Sequence, residues 1–460
     1  MRDGGKVKTY QDLLAIGEND QNRMDFVRAV INDHQNSQLY KNAVIADKYD
    51  RQQNVTIYNY QKALFNLQGR PVEDLWSANY KLASNFFKRF VTQQNQFLLG
   101  NGITWGKDET SEKLGDDFDT RTQEAGRAAL VGGVSFGFWN LDKLVVFKVT
   151  EFAPMYDEEN GALMAGVRFW QLASNKPLRA TLYELDGYTD YMWENGKPSI
   201  LKEKRPYILK TRTTQVDGTE IYDGENYPSF PIVPFWGNPH HQSELLGIRS
   251  QIDAYDIIKS GFADDLDTAQ VYWVLHNTGG MDDEDLAQFI ERLHIVHAAS
   301  VDDAAGTAVD AHTVDIPHEG REKLLDRLEA DLYKDYMAFN PDSIVSGAAT
   351  ATQIRAAYEP INSKADEYEY CAIEFLKGVL HVAGIEDDPT FERSYIINRQ
   401  EEIQVLTMAG QYLTDDYVTR KILTVLGDGD RADDILGEMD AEDIERITPQ
   451  EEETPQPEAE

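Results

Sequence analysis

The stretch that decides the fold begins with the Pro-rich apolar run YPSFPIVPFWGNP (residues 227–239). After it, apolar residues recur every three or four positions from 243 to 267, which predicts an amphipathic helix. Ser243 stands where a helix N-cap is expected, and Glu244 follows in the first turn. The apolar stripe of this helix consists of Leu245, Ile248, Ile252, Tyr255, Ile258, Phe262 and Leu266. Such a stripe must be covered by another element or by another chain.

An insert over 268–320 separates this helix from a second amphipathic helix over 321–338. The insert contains three strand-like runs, VYWVLHN, IVHAAS and AVDAHTVDIP, and one helical run, DDEDLAQFIERLH, after the first of them. The irregular stretch FNPDSIVSG (339–347) then leads into a very long helix over 350–383, in which Pro360 predicts a kink. Two helices joined by an insert at one end and by a loop at the other are typical of an element that packs side by side with copies of itself to form a wall. The pattern predicts a ring of copies packed side by side.

The rest of the chain mixes helices and strands. Residues 1–68 predict an arm of short helices, which wraps a neighbour or the outside of the body. Pro71 predicts the start of a long helix that ends near Gly100. Residues 125–236 are rich in Val, Phe, Tyr and Thr and read as mostly antiparallel strands. The fold class is therefore predicted to be α+β.

The C-terminal part is acidic. Residues 384–448 predict shorter helices separated by glycines. The tail 449–460 is rich in Pro and Glu, and this composition predicts disorder.

The net charge of −36 over 460 residues limits the binding partners. An acidic surface of this size repels phosphate and argues against tight binding along nucleic acid. It still allows loose passage of a duplex, because a sliding channel should avoid strong phosphate contacts. The longest apolar runs are strand-sized and fall far short of the roughly 20 residues of a membrane span, so no membrane association is predicted.

Known catalytic and metal-binding patterns are missing from the sequence. No Gly-Lys-Ser/Thr follows a glycine run, and no Gly-x-Ser-x-Gly elbow occurs. The pairs His240/His241 and His294/His297 lack the further ligands that a zinc site needs, and Cys371 is the only cysteine. We therefore predict no metal site, no cofactor and no catalytic residues.

The acidic cluster of the insert leaves one enzymatic alternative open. Asp282, Asp283, Glu284 and Asp285 stand where the helix of the insert begins, and acidic residues are favoured there by the helix dipole. The alternative is a metal-dependent nuclease that uses these carboxylates.

Several segments resemble the SPP1-type portal proteins of tailed bacteriophages. They are, in order, ANYKLASNFFKRFVTQQNQFLLGNGITW, EFAPMYDEENGALMAGVRFW, PIVPFWGNPHHQSELLGIRSQIDAYDIIKSGFADDLD, SGAATATQIRAAYEPINSKADEYE and QEEIQVLTMAGQYLTDDYVTRKIL. Together they cover most of residues 70–425. One departure falls in the loop, where the family's Asn-x-Ser-Gly reads Ile-Val-Ser-Gly.

The resemblance implies a portal fold with named parts, formed by a β-rich wing, a two-helix stem, a small α/β clip, a long kinked helix and a helical crown. The implied boundaries are wing with N-terminal arm 1–240, stem helix 241–267, clip 268–320, second stem helix 321–338, tunnel loop 339–349, long wing helix 350–383 and crown 384–448.

The resemblance also implies site residues. Those of the tunnel loop, which would face DNA, are Asn340, Pro341, Asp342, Ser343, Ile344, Val345, Ser346 and Gly347. The candidate residues for partner docking on the clip are Asp282, Asp283, Glu284, Asp285, Gln288 and Glu291. Lys259, Arg355 and Lys364 are candidate DNA contacts, and the alternative role for each is an ordinary salt bridge.

As implied by the resemblance, the function is that of a dodecameric ring at one capsid vertex. It would conduct double-stranded DNA, without sequence specificity, during packaging and ejection. Its partners would be the terminase motor, the head–tail adaptor, and the major capsid and scaffold proteins. It would occupy the virion, and the host cytoplasm during assembly. The alternatives to this role are the nuclease above and another structural capsid protein, such as a scaffold or an adaptor.

Overall fold

The structure is a computed structural model that describes residues 7–17, 19–61, 63–65, 71–73, 78–214, 220–267, 271–276, 288, 308–313, 318–344, 351–394, 403 and 406–437. The chain divides into two compact units. The first comprises the described residues within 1–340 and 359–394, and the second comprises those within 341–358 and 395–460.

The helices are listed here with their bounds. They are α1 (Tyr10–Ile16), α2 (Asp20–Asn36), α3 (Gln38–Asp50), α4 (Val55–Asn59), α5 (Phe86–Leu99), α6 (Asp108–Leu114), α7 (Phe118–Gly132), α8 (Leu245–Asp267), α9 (His318–Tyr336), α10 (Ala351–Ala383) and α11 (Asp415–Leu426). Short 3₁₀ turns span Pro341–Ile344 and Gly429–Arg431.

The strands pair antiparallel throughout the described residues. They are β1 (Ala63–Phe65), β2 (Pro71–Glu73), β3 (Ile103–Thr104), β4 (Val134–Asn140), β5 (Lys143–Lys148), β6 (Phe152–Tyr156), β7 (Leu163–Gln171), β8 (Leu178–Glu184), β9 (Gly187–Glu194), β10 (Lys197–Arg205), β11 (Ile208–Thr214), β12 (Glu220–Glu225), β13 (Ile232–Trp236), β14 (Val271–His276), β15 (Ala308–Thr313) and β16 (Thr390–Phe391). The larger sheets have the orders β10-β9-β8-β7-β6 and β13-β4-β5, and the other strands form pairs. The mixture of helices with antiparallel strands confirms the α+β prediction.

The N-terminal arm packs on its own chain. Phe26, Val27, Val30 and Ile31 of α2 are buried against the five-stranded sheet, which supplies residues such as Val167. Their spacing is that of one helical face, so the same pattern that predicted the helix also defines its buried side. The arm therefore packs on its own chain, and its predicted contact with a neighbouring copy stays a prediction.

The predicted long helix from Pro71 is wrong in its first half. Pro71 lies in the short strand β2, residues 78–84 are not helical, and the helix begins only at Phe86. This non-helical backbone is stabilised by side chains of a helix far away in sequence: the amide of Tyr80 donates to Asp264, 2.7 Å away. A pattern of apolar spacing cannot reveal such a partner.

The β region differs in detail from the prediction. The run KLVVFKVTEF (143–152) is interrupted after Lys148: its first six residues form β5, and Phe152 begins β6, which belongs to a different sheet. The tight turn at Glu151, whose amide donates to the carbonyl of Lys148 at 2.9 Å, makes this change of sheet. The turn in ENGK joins β9 to β10, with Asn195 and Gly196 both at positive φ, as a two-residue hairpin requires.

The helices α8 and α9 form an antiparallel pair. Gln251 contacts Asp335 near one end of the pair, and Arg321 contacts Asp265 near the other. The predicted bounds of 243–267 and 321–338 agree with the observed helices to within a few residues. Strands β14 and β15, which lie within the insert, pair with each other from Val271↔Thr313 to His276↔Ala308.

The second half of α10 lies in the main core of the first unit. The ring of Phe375 stacks on Phe235 of β13 with centroids 4.6 Å apart. Gly137 of β4 permits this approach, because a Cβ there would lie 2.6 Å from the Phe375 ring. Cys371 is buried in the same core, as predicted for a small apolar residue, and burial raises the pKa of its thiol to about 11.

Pro360 lies inside α10, which continues through it. In the second unit, α11 ends at Gly427, whose φ of 99° gives the left-handed conformation that closes a helix. No helix among the described residues is long and apolar enough to span a membrane.

Candidate functional site

The predicted tunnel loop leaves the core at the end of α9. Met337 takes a φ of 62°, and the amide of Ala338 donates to the carbonyl of Tyr333 at 2.9 Å, which closes the helix. Phe339, the first residue of the predicted loop, is buried, and Asn340 is the last residue of this part of the first unit. The loop therefore starts from a fixed point.

Gln93 of α5 fixes that point. Its Nε2 donates to the carbonyl oxygen of Phe339 at 3.0 Å, and its Oε1 accepts from the Phe339 amide at 3.2 Å. One amide side chain thus satisfies both backbone groups of a buried residue. Gln93 was not among the predicted site residues, and no motif in the sequence points to it.

Aromatic packing also holds the end of α9 against α5. The rings of Phe90 and Tyr336 stack with centroids 4.8 Å apart, and the Tyr336 hydroxyl donates to Oε1 of buried Gln94 at 2.7 Å. Burial raises the pKa of Tyr336 well above its usual value, so its hydroxyl remains a donor.

A buried ion pair joins three helices at this place. The Lys364 ammonium of α10 donates to Oε2 of Glu244, which immediately precedes α8, at 2.6 Å. It also donates to the carbonyl of Tyr336 at 3.0 Å and lies 3.6 Å from the centroid of the Tyr336 ring. The two charged side chains are only 14% and 11% exposed. We call Gln93, Glu244, Tyr336, Phe339 and Lys364 the junction.

Asn238 positions Glu244 from the other side. Its Nδ2 donates to Oε1 of Glu244 at 2.9 Å and to the carbonyl of Gln242 at 2.8 Å. Ser243 caps α8 as predicted, since its hydroxyl accepts the amide of Leu245 at 3.2 Å. The turn between β13 and α8 therefore orients the carboxylate that receives Lys364.

One histidine of this turn, His241, has a packing role. The ring of His241 stacks on Trp236, with centroids 3.7 Å apart and an interplanar angle of 13°. Burial lowers the pKa of His241. Within the described part of the chain, no group of three or more His, Cys, Asp or Glu side chains is placed to hold a metal ion. His294 and His297 lie outside the described residues.

The three candidate DNA contacts have different surroundings. Lys259 is exposed on α8, where its ammonium lies 5.6 Å from the Tyr255 ring, and Arg355 is exposed on α10. Lys364 is largely buried in the junction, so its predicted contact with DNA is corrected to the alternative role, a salt bridge within the chain. Sequence spacing could not reveal this, because Glu244 is 120 positions away.

The remaining predicted site residues are described only in part. Pro341–Ile344 form the 3₁₀ turn, whereas Val345, Ser346 and Gly347 lie outside the described residues. In the insert, Gln288 is exposed, and Asp282, Asp283, Glu284, Asp285 and Glu291 lie outside the described residues. The predictions for partner docking, and the nuclease alternative, therefore stay predictions.

A protein-family model matches residues 29–456. It is described as phage portal protein, SPP1 Gp6-like. The portal protein of Clostridium phage phiCD119 is 22% identical over 374 residues, which cover 74% of this chain and 81% of that protein. The portal protein of Bacillus phage SPP1 is 25% identical over 337 residues, which cover 67% of this chain and 63% of that protein. These descriptions name a portal protein and no reaction.

Two solved structures are also similar in part. One is a chain of the neck of an empty gene transfer agent particle, computed with C6 symmetry, with 10% sequence identity and a TM-score of 0.40. The match covers 74% of this chain and 90% of that one. The other is a chain of the virion of a native gene transfer agent particle, with 11% sequence identity and a TM-score of 0.38. That match covers 74% of this chain and 89% of the other.

Proposed function

This chain belongs to the SPP1 Gp6-like family of phage portal proteins, and from that membership we propose that twelve copies form a ring at one vertex of the capsid. The ring is the channel through which double-stranded DNA enters during packaging and leaves during ejection. It assembles in the host cytoplasm with scaffold and major capsid proteins and remains in the virion.

The exposure of the α8–α9 pair carries the proposal of a ring. At the junction end, Ile252 and Leu332 are fully buried, whereas at the insert end Leu266 is 59% exposed and Leu324 is 46% exposed. The same apolar stripes therefore begin inside the core and end in solvent. In a closed ring, every copy presents the same surface to its neighbour. Neighbouring copies would therefore cover the apolar side chains that are exposed at the insert end of α8 and α9.

The parts of the portal are assigned along the chain as follows. The wing with its arm is 1–240, the stem helices are 241–267 and 321–338, the clip is 268–320, the tunnel loop is 339–349, the long wing helix is 350–383 and the crown is 384–448. The bounds of α8, α9 and α10 support the limits of the stem and of the long helix.

The channel is passive in this proposal. A net charge of −36 limits adhesion of DNA, and the tunnel loop moves about the fixed point that Gln93 and Phe339 provide. Lys259 and Arg355 contact phosphate transiently. Steady ATP turnover by the purified protein, abolished by substitution of one of its own residues, would contradict a passive role.

The clip is the docking surface for the terminase motor and later for the head–tail adaptor. Its predicted contacts are the acidic residues 282–285 together with Gln288 and Glu291. Lysine substitutions at Asp282 and Asp283 should weaken terminase capture in a pull-down and leave ring formation intact. Unchanged capture would remove these residues from the docking surface.

The ring interface has a direct test with a matched control. Replacing both Leu266 and Leu324 by Glu places charges where neighbouring copies should meet, and it should shift the sedimentation of the full-length protein from ring to monomer. Leu172→Glu is the control, because Leu172 is 86% exposed at a turn of the wing sheet. Rings that form equally well in both variants would contradict an interface on the stem.

A further inference from the structure

One side of α8 carries a polar stripe that is buried inside its own subunit. Asp256, Ser260 and Asp264 stand one helical turn apart and are exposed by only 0%, 3% and 3%. Buried polar side chains of this kind require hydrogen-bond partners. Here the partners are backbone amides of residues 78–84, which we call the strap.

The strap runs antiparallel to α8 in matching register. The amide of Ser84 donates to Oδ1 of Asp256 at 2.9 Å, and that of Leu82 donates to Oγ of Ser260 at 3.0 Å. The amide of Tyr80 donates to Oδ1 of Asp264 at 2.7 Å. Four residues of helix advance about 6.0 Å, and the three bonds show that every second strap amide meets the next turn of α8. Between them the amide of Ala83 donates to the carbonyl of Lys81 at 3.2 Å, which makes a tight turn within the strap.

The other edge of the strap is held by the turn between α3 and α4. Gln52 Nε2 donates to the carbonyl of Ala83 at 3.0 Å, and Asn54 Nδ2 donates to the carbonyl of Ser84 at 3.0 Å. Asn54 also donates to Asp256. These bonds join backbone to side chain, and Tyr80 of the strap is 44% exposed. The strap therefore contributes little to the apolar core.

A segment held mainly by such bonds can open while the core stays folded, because local opening costs less than global unfolding where apolar burial is small. We propose that the strap is a releasable clamp on the insert-side half of α8, residues 256–264. While it is closed, it fixes the helix that leads into the insert. When it opens, that half of α8 becomes mobile without loss of the junction.

Cleavage by trypsin after Lys81 reports on the open strap. A protease needs several residues of extended, unpaired backbone, which the closed strap does not offer. In the full-length chain, Ser260→Ala combined with Asp264→Ala removes two of the three acceptors on α8. Cleavage after Lys81 should become at least about tenfold faster, because cleavage follows the population of the open form. Deuterium uptake in residues 256–267 should rise with it.

Asp265→Ala is the matched control. Asp265 is adjacent to Asp264 but contacts Arg321 of α9 instead of the strap. Its loss should leave cleavage after Lys81 unchanged, and cleavage after Lys113 on α6 serves as the internal reference. If the double variant does not fold, Ser260→Ala alone should still raise the rate at least about threefold. A rate in the folded variant equal to that of the wild type, or an equal rise in Asp265→Ala, would overturn the clamp.

Discussion

At the scale of single residues, the junction depends on one buried charge pair. Glu244 and Lys364 are each enclosed by further partners, Asn238 for the carboxylate and the Tyr336 carbonyl for the ammonium. Such a pair adds little net stability compared with an apolar pair, but the loss of one member leaves a buried charge without a counterion. The junction should therefore tolerate the removal of both charges better than the removal of one.

We expect Lys364→Met to lower the free energy of unfolding by about 3 kcal/mol, because Glu244 would remain buried and unpaired. Adding Glu244→Leu should recover part of this loss, which a double-mutant cycle from urea unfolding would measure. Losses that simply add would contradict direct coupling between the two side chains.

His34 provides a second test at this scale. Its Nε2 lies 2.7 Å from the carbonyl oxygen of Val149, and its ring contacts Tyr40 and Phe169 edge-on. Burial lowers the pKa of His34 in the folded chain. The unfolded chain then binds the proton more tightly, so the stabilisation is complete above about pH 6.5 and is lost as the pH falls below it.

A His34→Gln variant, which retains a donor for Val149 but cannot titrate, should show a shallower fall of the melting temperature between pH 7 and pH 5. An unchanged pH dependence would mean that other groups control acid stability.

At the scale of elements, apolar periodicity predicted the helices well and missed the elements that polar contacts define. The bounds of α8, α9 and α10 follow from stripes within each helix, and so they were visible in the sequence. The start of α5 at Phe86 was not, because the side chains that accept the backbone amides of residues 78–84 are more than 170 positions away. For the same reason the candidate site was only partly predicted: the break in the chain between α9 and α10 was predicted, but the contacts of Gln93 and the Glu244–Lys364 pair were not.

The helix α6 is another element stabilised from a distance. Asp387 accepts the amides of Gly106 and Lys107, each at 3.1 Å, and the Thr110 hydroxyl at 2.6 Å. The hydrogen bond from Thr110 contributes most to holding the pKa of Asp387 below its usual range. This stabilisation is present above about pH 4 and is lost as the pH falls through the lowered pKa.

Asp387→Ala should raise deuterium uptake in residues 106–114, whereas Asp388→Ala should not. The side chain of Asp388 is exposed and pairs with Lys377 at 2.8 Å. Equal uptake in both variants would show that Asp387 does not hold α6.

At the scale of the whole molecule, the proposal of a ring rests on the insert end of the α8–α9 pair, where apolar side chains are exposed. Leu266 and Leu324 are exposed in a single chain that buries the junction end of the same stripes, and membership of the portal family supplies the neighbour that would cover them. The acidic charge agrees with a conduit that does not retain its DNA, although repulsion between copies should make assembly depend on salt.

The most direct test is the mass of the assembled full-length protein, measured by native mass spectrometry and class averages from electron microscopy at low and high salt. The account predicts a closed ring of twelve copies, with a central hole wide enough for a DNA duplex of about 20 Å and a larger ring fraction at high salt. A protein that remains a monomer at every salt and protein concentration, in the presence of scaffold protein, would contradict it.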